Sequence, residues 1–203
     1  MEIAAVAPPP RKHHDAGLHV LVLGGSQGAR ALNECVPRAF VELQRDQSEV
    51  DSMRRVHVWH QTGADKLDAT RALYADFPHR RDLRIDAYIE RMEEAYAWAD
   101  VVICRAGAMT IAELSAAGVA SVLVPFPYAV DDHQTANAHY LVDVDAGLLV
   151  PEEELSPARL ASILREFAAN PARAEQMAVK ARSMGRPQAT ADVASLCMEV
   201  AYA

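Results

Sequence analysis

The chain is short of cysteine, of basic residues and of long apolar runs, and each shortage removes a class of protein. Of its 203 residues three are cysteine, Cys35, Cys104 and Cys197, an odd number with no C-x-x-C spacing. Neither a disulfide framework nor a zinc site follows from that, and small, reduced core thiols are expected. Basic residues number 20 against 28 acidic ones, a formal net charge of -8 with a pI near 5.4. That balance argues against nucleic acid as a partner and gives no general attraction to an anionic membrane. No apolar run approaches the roughly 18 residues of a spanning helix, and the amino terminus lacks a charged-then-apolar secretory pattern. A cytoplasmic protein is expected. The 9 glycines never fall as G-x-G-x-x-G, and no G-K-[ST] occurs, so the dinucleotide fingerprint and the P-loop are both weakly supported.

What is present suffices for one compact domain, since 51% of the residues are hydrophobic and 24% charged. Residues 1–17, with Pro8-Pro9-Pro10 and then Arg11-Lys12-His13-His14-Asp15, cannot build a core element and read as a linker. His13-His14 lacks a further ligand at metal spacing and is simplest as a solvated pair. From residue 18 onward, apolar β-branched runs alternate with helical stripes. Strands are expected at 19–23, 55–60, 83–89, 101–104, 120–124 and 148–150. Helices are expected at 31–43, 64–75, 90–99, 108–117, from about 133, at 157–169, 171–184 and about 187–202. The fold class is therefore α/β, a doubly wound, mostly parallel sheet of about six strands.

The most informative unit runs from Ala99 to Phe126 as strand, tight turn, helix, strand. In such a unit the helix starts at the carboxyl end of the strand, where unpaired N–H groups and the helix dipole favour an anion. Thr110 and Glu113 admit two readings. They form the Thr-x-x-Glu pattern of a capping box, or Glu113, one turn above a bound phosphate, accepts hydrogen bonds from ribose hydroxyls. Gly24-Gly25-Ser26-Gln27-Gly28-Ala29 is a second glycine-rich turn, either an ordinary tight βα connection or a phosphate cradle. In a third stretch, His133, Gln134 and Asn137 gather neutral hydrogen-bonding groups at a helix start that Asp131 or Asp132 can cap. Such groups suit a sugar better than a core. Asp143-Val144-Asp145 has the D-x-D form of some metal-dependent transferases, but before Gly147 it reads as a turn. Arg80, Arg81 and Arg84 read as a solvated edge, and Tyr96 and Trp98 as packing residues.

These stretches, with Trp59-His60-Gln61-Thr62-Gly63 and Ala95-Tyr96-Ala97-Trp98-Ala99-Asp100, resemble the MurG family of bacterial peptidoglycan glycosyltransferases. The similarity covers almost the whole chain in order, but only the carboxyl-terminal half of that family. The resemblance implies the Rossmann-like carboxyl-terminal half of a GT-B glycosyltransferase, with residues 18–203 as a UDP-sugar-binding domain. The final helix would pack towards the amino-terminal domain. It implies UDP-N-acetylglucosamine as donor substrate, no cofactor and no metal. Residues Gly25, Ser26 and Gln27 with Ala108, Met109 and Thr110 would hold the diphosphate beside Arg105. Glu113 would bind the ribose, the backbone of Ile89 would read uracil, and His133, Gln134 and Asn137 would surround the sugar. Tyr128 stands where many members carry histidine. The implied reaction is inverting transfer of N-acetylglucosamine to the C4 hydroxyl of lipid I, giving lipid II. Acceptor, catalytic base and membrane contact would belong to the amino-terminal half, which finds no match, so the chain alone is expected to bind donor without turnover. Two other readings remain, a donor-binding subunit of a split two-chain transferase and a nicotinamide-dependent dehydrogenase domain.

Overall fold

A computed structural model describes residues 17–25, 29–45, 55–77 and 80–202. Six strands form one sheet: β1 (Leu18–Leu23), β2 (Val56–Gln61), β3 (Leu83–Asp86), β4 (Val101–Cys104), β5 (Ala120–Leu123) and β6 (Gly147–Leu149). All neighbouring pairs are parallel, in the order β3-β2-β1-β4-β5-β6. Helices connect them: α1 (Arg30–Arg45), α2 (Leu67–Leu73), α3 (Met92–Trp98), α4 (Ala108–Ala117) and α5 (His133–Val142), followed by α6 (Pro157–Ala169), α7 (Pro171–Ser183) and α8 (Ala189–Tyr202).

The central strands are apolar on both faces because helices cover both. Val20, Val22, Val58, Ile103 and Val122 point to one side, where Val36 and Phe40 of α1 meet Leu160, Leu164 and Phe167 of α6. Leu21, Leu23, Trp59, Val102 and Leu123 point to the other, against Tyr96, Leu114 and Leu141. Strand-alternating burial on both faces is what a parallel sheet between two helical layers requires.

Several expected boundaries shift for local reasons. Pro37 lies inside α1, which continues because Leu32, Val36, Phe40 and Leu43 are fully buried. The helix expected over 64–75 divides into a 3-10 turn at Ala64–Lys66 and the short α2, after Gly63 turns the chain at φ 81°. Of the strand and exit expected over 83–89, the strand ends at Asp86, whose carboxylate accepts from Trp59 and Arg84. Ser156 caps α6 as expected, accepting from the Arg159 amide at 3.2 Å. Asn170 makes no side-chain cap to α7, because it also closes α6 and its backbone is held to the corner between them. Residues 1–16, with His13 and His14, lie outside the described residues, as do Ser26 and Gln27.

Candidate functional site

The order of the sheet reverses between β1 and β4, and in doubly wound sheets ligands bind outside the carboxyl ends of the strands at that reversal. Leu23 is in register with Cys104, so Gly24-Gly25 and Arg105-Ala106-Gly107 leave the sheet side by side. Gly25 adopts φ 74°, a left-handed conformation that favours glycine, and a side chain there would meet nothing within 4 Å. The chain therefore opens towards solvent above β1.

On the β4 side, Gly107 is the N-cap of α4, with extended φ and ψ and no side chain to bond the first turn. The first intrahelical bond runs from the Ile111 amide to the Gly107 carbonyl at 3.0 Å. The amides of Ala108, Met109 and Thr110 therefore have no partner within the helix, and they point outward at its positive end. The capping-box reading fails here. Thr110 is the third helical residue and Glu113 the sixth, so neither occupies the position that such a box needs. Glu113 instead accepts a hydrogen bond from the Tyr96 hydroxyl at 2.8 Å.

The third stretch closes against the second. Asn137 donates from Nδ2 to the Ala106 carbonyl at 3.1 Å, and the Phe126 amide donates to Gln134 Oε1 at 3.0 Å. Each amide side chain thus fixes one loop with one end, Asn137 through Nδ2 and Gln134 through Oε1. His133 is exposed beside them. The expected aspartate cap of α5 is absent. Asp132 occupies the N-cap position, but Asp131 and Asp132 adopt φ 53° and 51°, and Asp132 makes no side-chain cap bond. Successive left-handed aspartates are strained, a state usually retained where a loop must hold one shape.

Arg105 braces the site from below. Its Nη1 donates to the carbonyls of Val124 and Pro125 at 3.1 and 3.0 Å, and its Nη2 pairs with Glu152. The guanidinium also lies 5.3 Å from the centre of the Phe126 ring. Together with Gly24, Arg30, Phe126 and Tyr128 it lines an open cleft of about 580 Å³. A second groove of about 610 Å³ runs over α4 and α5, lined by Ala108, Glu113, Asn137, Tyr140, Arg186 and Pro187 among others. Ile89 has its side chain in the core, 4% exposed, so only its backbone could face a ligand.

The structure thus brings Gly25, Arg105, Ala108, Met109, Thr110, Glu113, His133, Gln134 and Asn137 to one end of the sheet. Asp143 and Asp145 are elsewhere and belong to a turn: Asp143 closes α5 and takes His139 Nδ1 at 2.9 Å, while Asp145 pairs with Lys180. Among the described residues no group of three His, Cys, Asp or Glu side chains is placed to hold a metal ion, and no helix is long and apolar enough to cross a membrane. Tyr96 packs in the core as expected, and the contact that sequence reasoning missed is its hydroxyl bond to Glu113. The available signal was its hydroxyl, because a tyrosine buried to this depth needs a hydrogen-bond partner.

The glycosyltransferase family 28 C-terminal domain matches residues 19–193. A UDP-N-acetylglucosamine–N-acetylmuramyl-(pentapeptide) pyrophosphoryl-undecaprenol N-acetylglucosamine transferase from Cellvibrio japonicus is 47% identical over 184 residues, 91% of this chain and 48% of that protein. The protein of the same name from Methylococcus capsulatus is 47% identical over 195 residues, 95% and 52% of the two chains. The crystal structure of Acinetobacter baumannii MurG superposes with a TM-score of 0.80 at 42% identity, covering 93% of this chain and 52% of that one. The calicheamicin glycosyltransferase CalG4, at 23% identity and a TM-score of 0.58, shares the fold. The chain spans about half the length of the curated relatives it matches. A doubly wound sheet in this order is also found in nicotinamide dehydrogenases, so the family match and not the fold separates the two. On the match over residues 19–193, the chain belongs to the glycosyltransferase family 28 C-terminal domain family, as a Rossmann-like GT-B carboxyl-terminal domain of MurG type.

Proposed function

We propose that this chain is the donor-binding half of an inverting transferase that moves N-acetylglucosamine from UDP-N-acetylglucosamine to the C4 hydroxyl of lipid I, forming lipid II. The observation that carries the reading is the uncapped start of α4 at the sheet reversal, beside the exit of β1 and bonded through Ala106 to Asn137 of α5. The amides of Ala108, Met109 and Thr110, with Gly25, Ser26 and Gln27, would receive the diphosphate. As the bond to the anomeric carbon breaks, negative charge grows on that diphosphate. The helix dipole and the fixed amides stabilise it there, the role that a metal plays in other transferases. The reading therefore includes no metal and no cofactor.

Glu113 would accept from the ribose hydroxyls and the Ile89 backbone would pair with uracil. His133, Gln134 Nε2 and Asn137 Oδ1 would contact the acetylated sugar. The binding site for lipid I, the catalytic base and the contact with the cytoplasmic face of the membrane would be supplied by an amino-terminal half. That half could be joined in one chain, or carried by a separate subunit that co-purifies with this one.

Calorimetric titration with UDP-N-acetylglucosamine, UDP-glucose and NADH tests the reading. Saturable binding that prefers the acetylated sugar is expected, unaffected by a chelator. Binding of NADH but of neither UDP-sugar would overturn it. The purified chain is expected to transfer no sugar to a lipid I analogue, and measurable transfer would remove the assignment of a donor half only.

A further inference from the structure

Tyr96 is 2% exposed, in the last turn of α3, and its ring packs in the core beneath α4. A hydroxyl so placed has no access to water and would be costly without an acceptor. Its partner is Oε2 of Glu113 at 2.8 Å, 17 residues further along the chain and on a different helix. A backbone carbonyl or an amide would satisfy Tyr96 equally well. A carboxylate is the more demanding choice, because its charge is then held beside apolar side chains. The effect on those neighbours is visible: burial and the Glu113 charge push the Cys104 thiol up to about 12, and the same two causes raise the Tyr96 hydroxyl well above its ordinary range. Glu113 is not sealed in, however. It is half-buried and lines the open groove with Ala108 and Asn137.

Glutamate on a helix ordinarily samples many rotamers, and fixing it costs conformational entropy whenever a ligand must do the fixing. Here one oxygen is already tied to a rigid buried ring. We infer that Tyr96 is a positioning residue: it anchors Oε2 of Glu113 so that Oε1 is presented to the groove as an acceptor for hydroxyl donors of the bound nucleotide. The inference rests on the reading of Glu113 as the ribose contact. Tyr96 touches no ligand itself; it sets the orientation of the group that does, as outer partners orient ligating groups elsewhere.

Calorimetry with two probes, UDP and 2′,3′-dideoxyuridine 5′-diphosphate, separates this role from packing. The protein should prefer UDP, and Tyr96→Phe, which keeps the ring and removes the hydroxyl, should lose about three- to tenfold of that preference. Its affinity for the dideoxy probe should stay that of the parent. Glu113→Gln should lose the preference as well, and the double variant should be no worse than Glu113→Gln alone, because the two residues act through one contact. Equal weakening towards both probes in Tyr96→Phe would show a packing role and overturn the inference, as would an undiminished preference. Should the parent chain bind both probes alike, the ribose reading of Glu113 itself falls, and the positioning role with it. That failure shows in the parent protein, whereas failure of the inference alone shows only in the variants.

Discussion

Asn33 Oδ1 lies 3.0 Å from His60 Nε2 at the junction of α1 and β2, and the direction of that bond is fixed by its neighbours. Asn33 uses its Nδ2 to donate to the Thr62 carbonyl at 2.9 Å, so Oδ1 must accept and His60 Nε2 must carry the proton. His60 Nδ1 is then the acceptor for the Tyr74 hydroxyl at 2.9 Å. The network is complete only with a neutral imidazole, and complete burial holds His60 down at about 3. It ties the first turns of α1, which follow the Gly24-Gly25 turn, to the end of β2.

The sign of the pH effect follows from that depression. The unfolded chain takes up a proton near 6.5 and the folded chain near 3, so stability is full above the unfolded value and falls as pH drops through this window. Between pH 7.5 and 5 the loss should be about 2 kcal/mol from this residue alone. Urea unfolding of the parent and of His60→Gln, which does not titrate, checks it. The parent should lose more stability than the variant by that amount, and parallel pH profiles would contradict it.

Tyr74→Phe removes the donor to His60 Nδ1 and leaves a buried acceptor unpaired. The cost should be about 1 to 3 kcal/mol at neutral pH. Because burial holds His60 down and the variant keeps that burial, the variant should lose as much stability on acidification as the parent. Chemical denaturation at two pH values measures both effects, and an unchanged midpoint at neutral pH would exclude the network as a source of stability.

The strand–helix–strand unit around α4 was legible in the sequence almost to the residue. Val101–Cys104 is a wholly apolar β-branched run, and Gly118 stands where the left-handed stop of α4 occurs. The place of the start of α4, just beyond the carboxyl end of β4, was legible too, because parallel topology alone puts helix starts at strand ends. What was not legible is which groups face one another. Thr110 and Glu113 have capping-box spacing, yet Gly107 begins the helix three residues before Thr110, and the partner of Glu113 comes from α3. Asp132 has the right chemistry for a cap, but it adopts φ 51° and makes no side-chain cap bond. Spacing along a chain constrains only neighbours in sequence, and these contacts are set by how helices pack across the sheet.

Gly118 is constrained twice. It adopts φ 64°, and a Cβ there would stand 2.9 Å from Cβ of Arg182 and 3.3 Å from the Ala178 carbonyl of α7. Gly118→Ala should therefore destabilise by about 2 kcal/mol or more, from left-handed strain together with displacement of α7. Loss of the denaturation midpoint at constant m would show it. A shift below about 0.5 kcal/mol would mean that α7 moves freely away from α4.

Asn137→Asp tests the closure of the site with almost no change of shape. The substitution replaces the Nδ2 donor by a carboxylate oxygen, which would face the Ala106 carbonyl and repel it, where the parent has a bond of 3.1 Å. Two consequences separate by measurement. Stability should fall by about 1 to 2 kcal/mol, since a bond is lost and a carbonyl is left facing an anion. Affinity for UDP-N-acetylglucosamine should fall by more than that of Asn137→Ala, because the new charge stands beside the uncapped amides of α4 and competes with the diphosphate for the same positive field. Adding salt should narrow the gap between the two variants, as screening weakens the repulsion while leaving the lost hydrogen bond lost. If Asp and Ala bind the donor alike at low salt, the diphosphate does not sit at the start of α4, and the anion site must be sought at the Gly24-Gly25 turn instead.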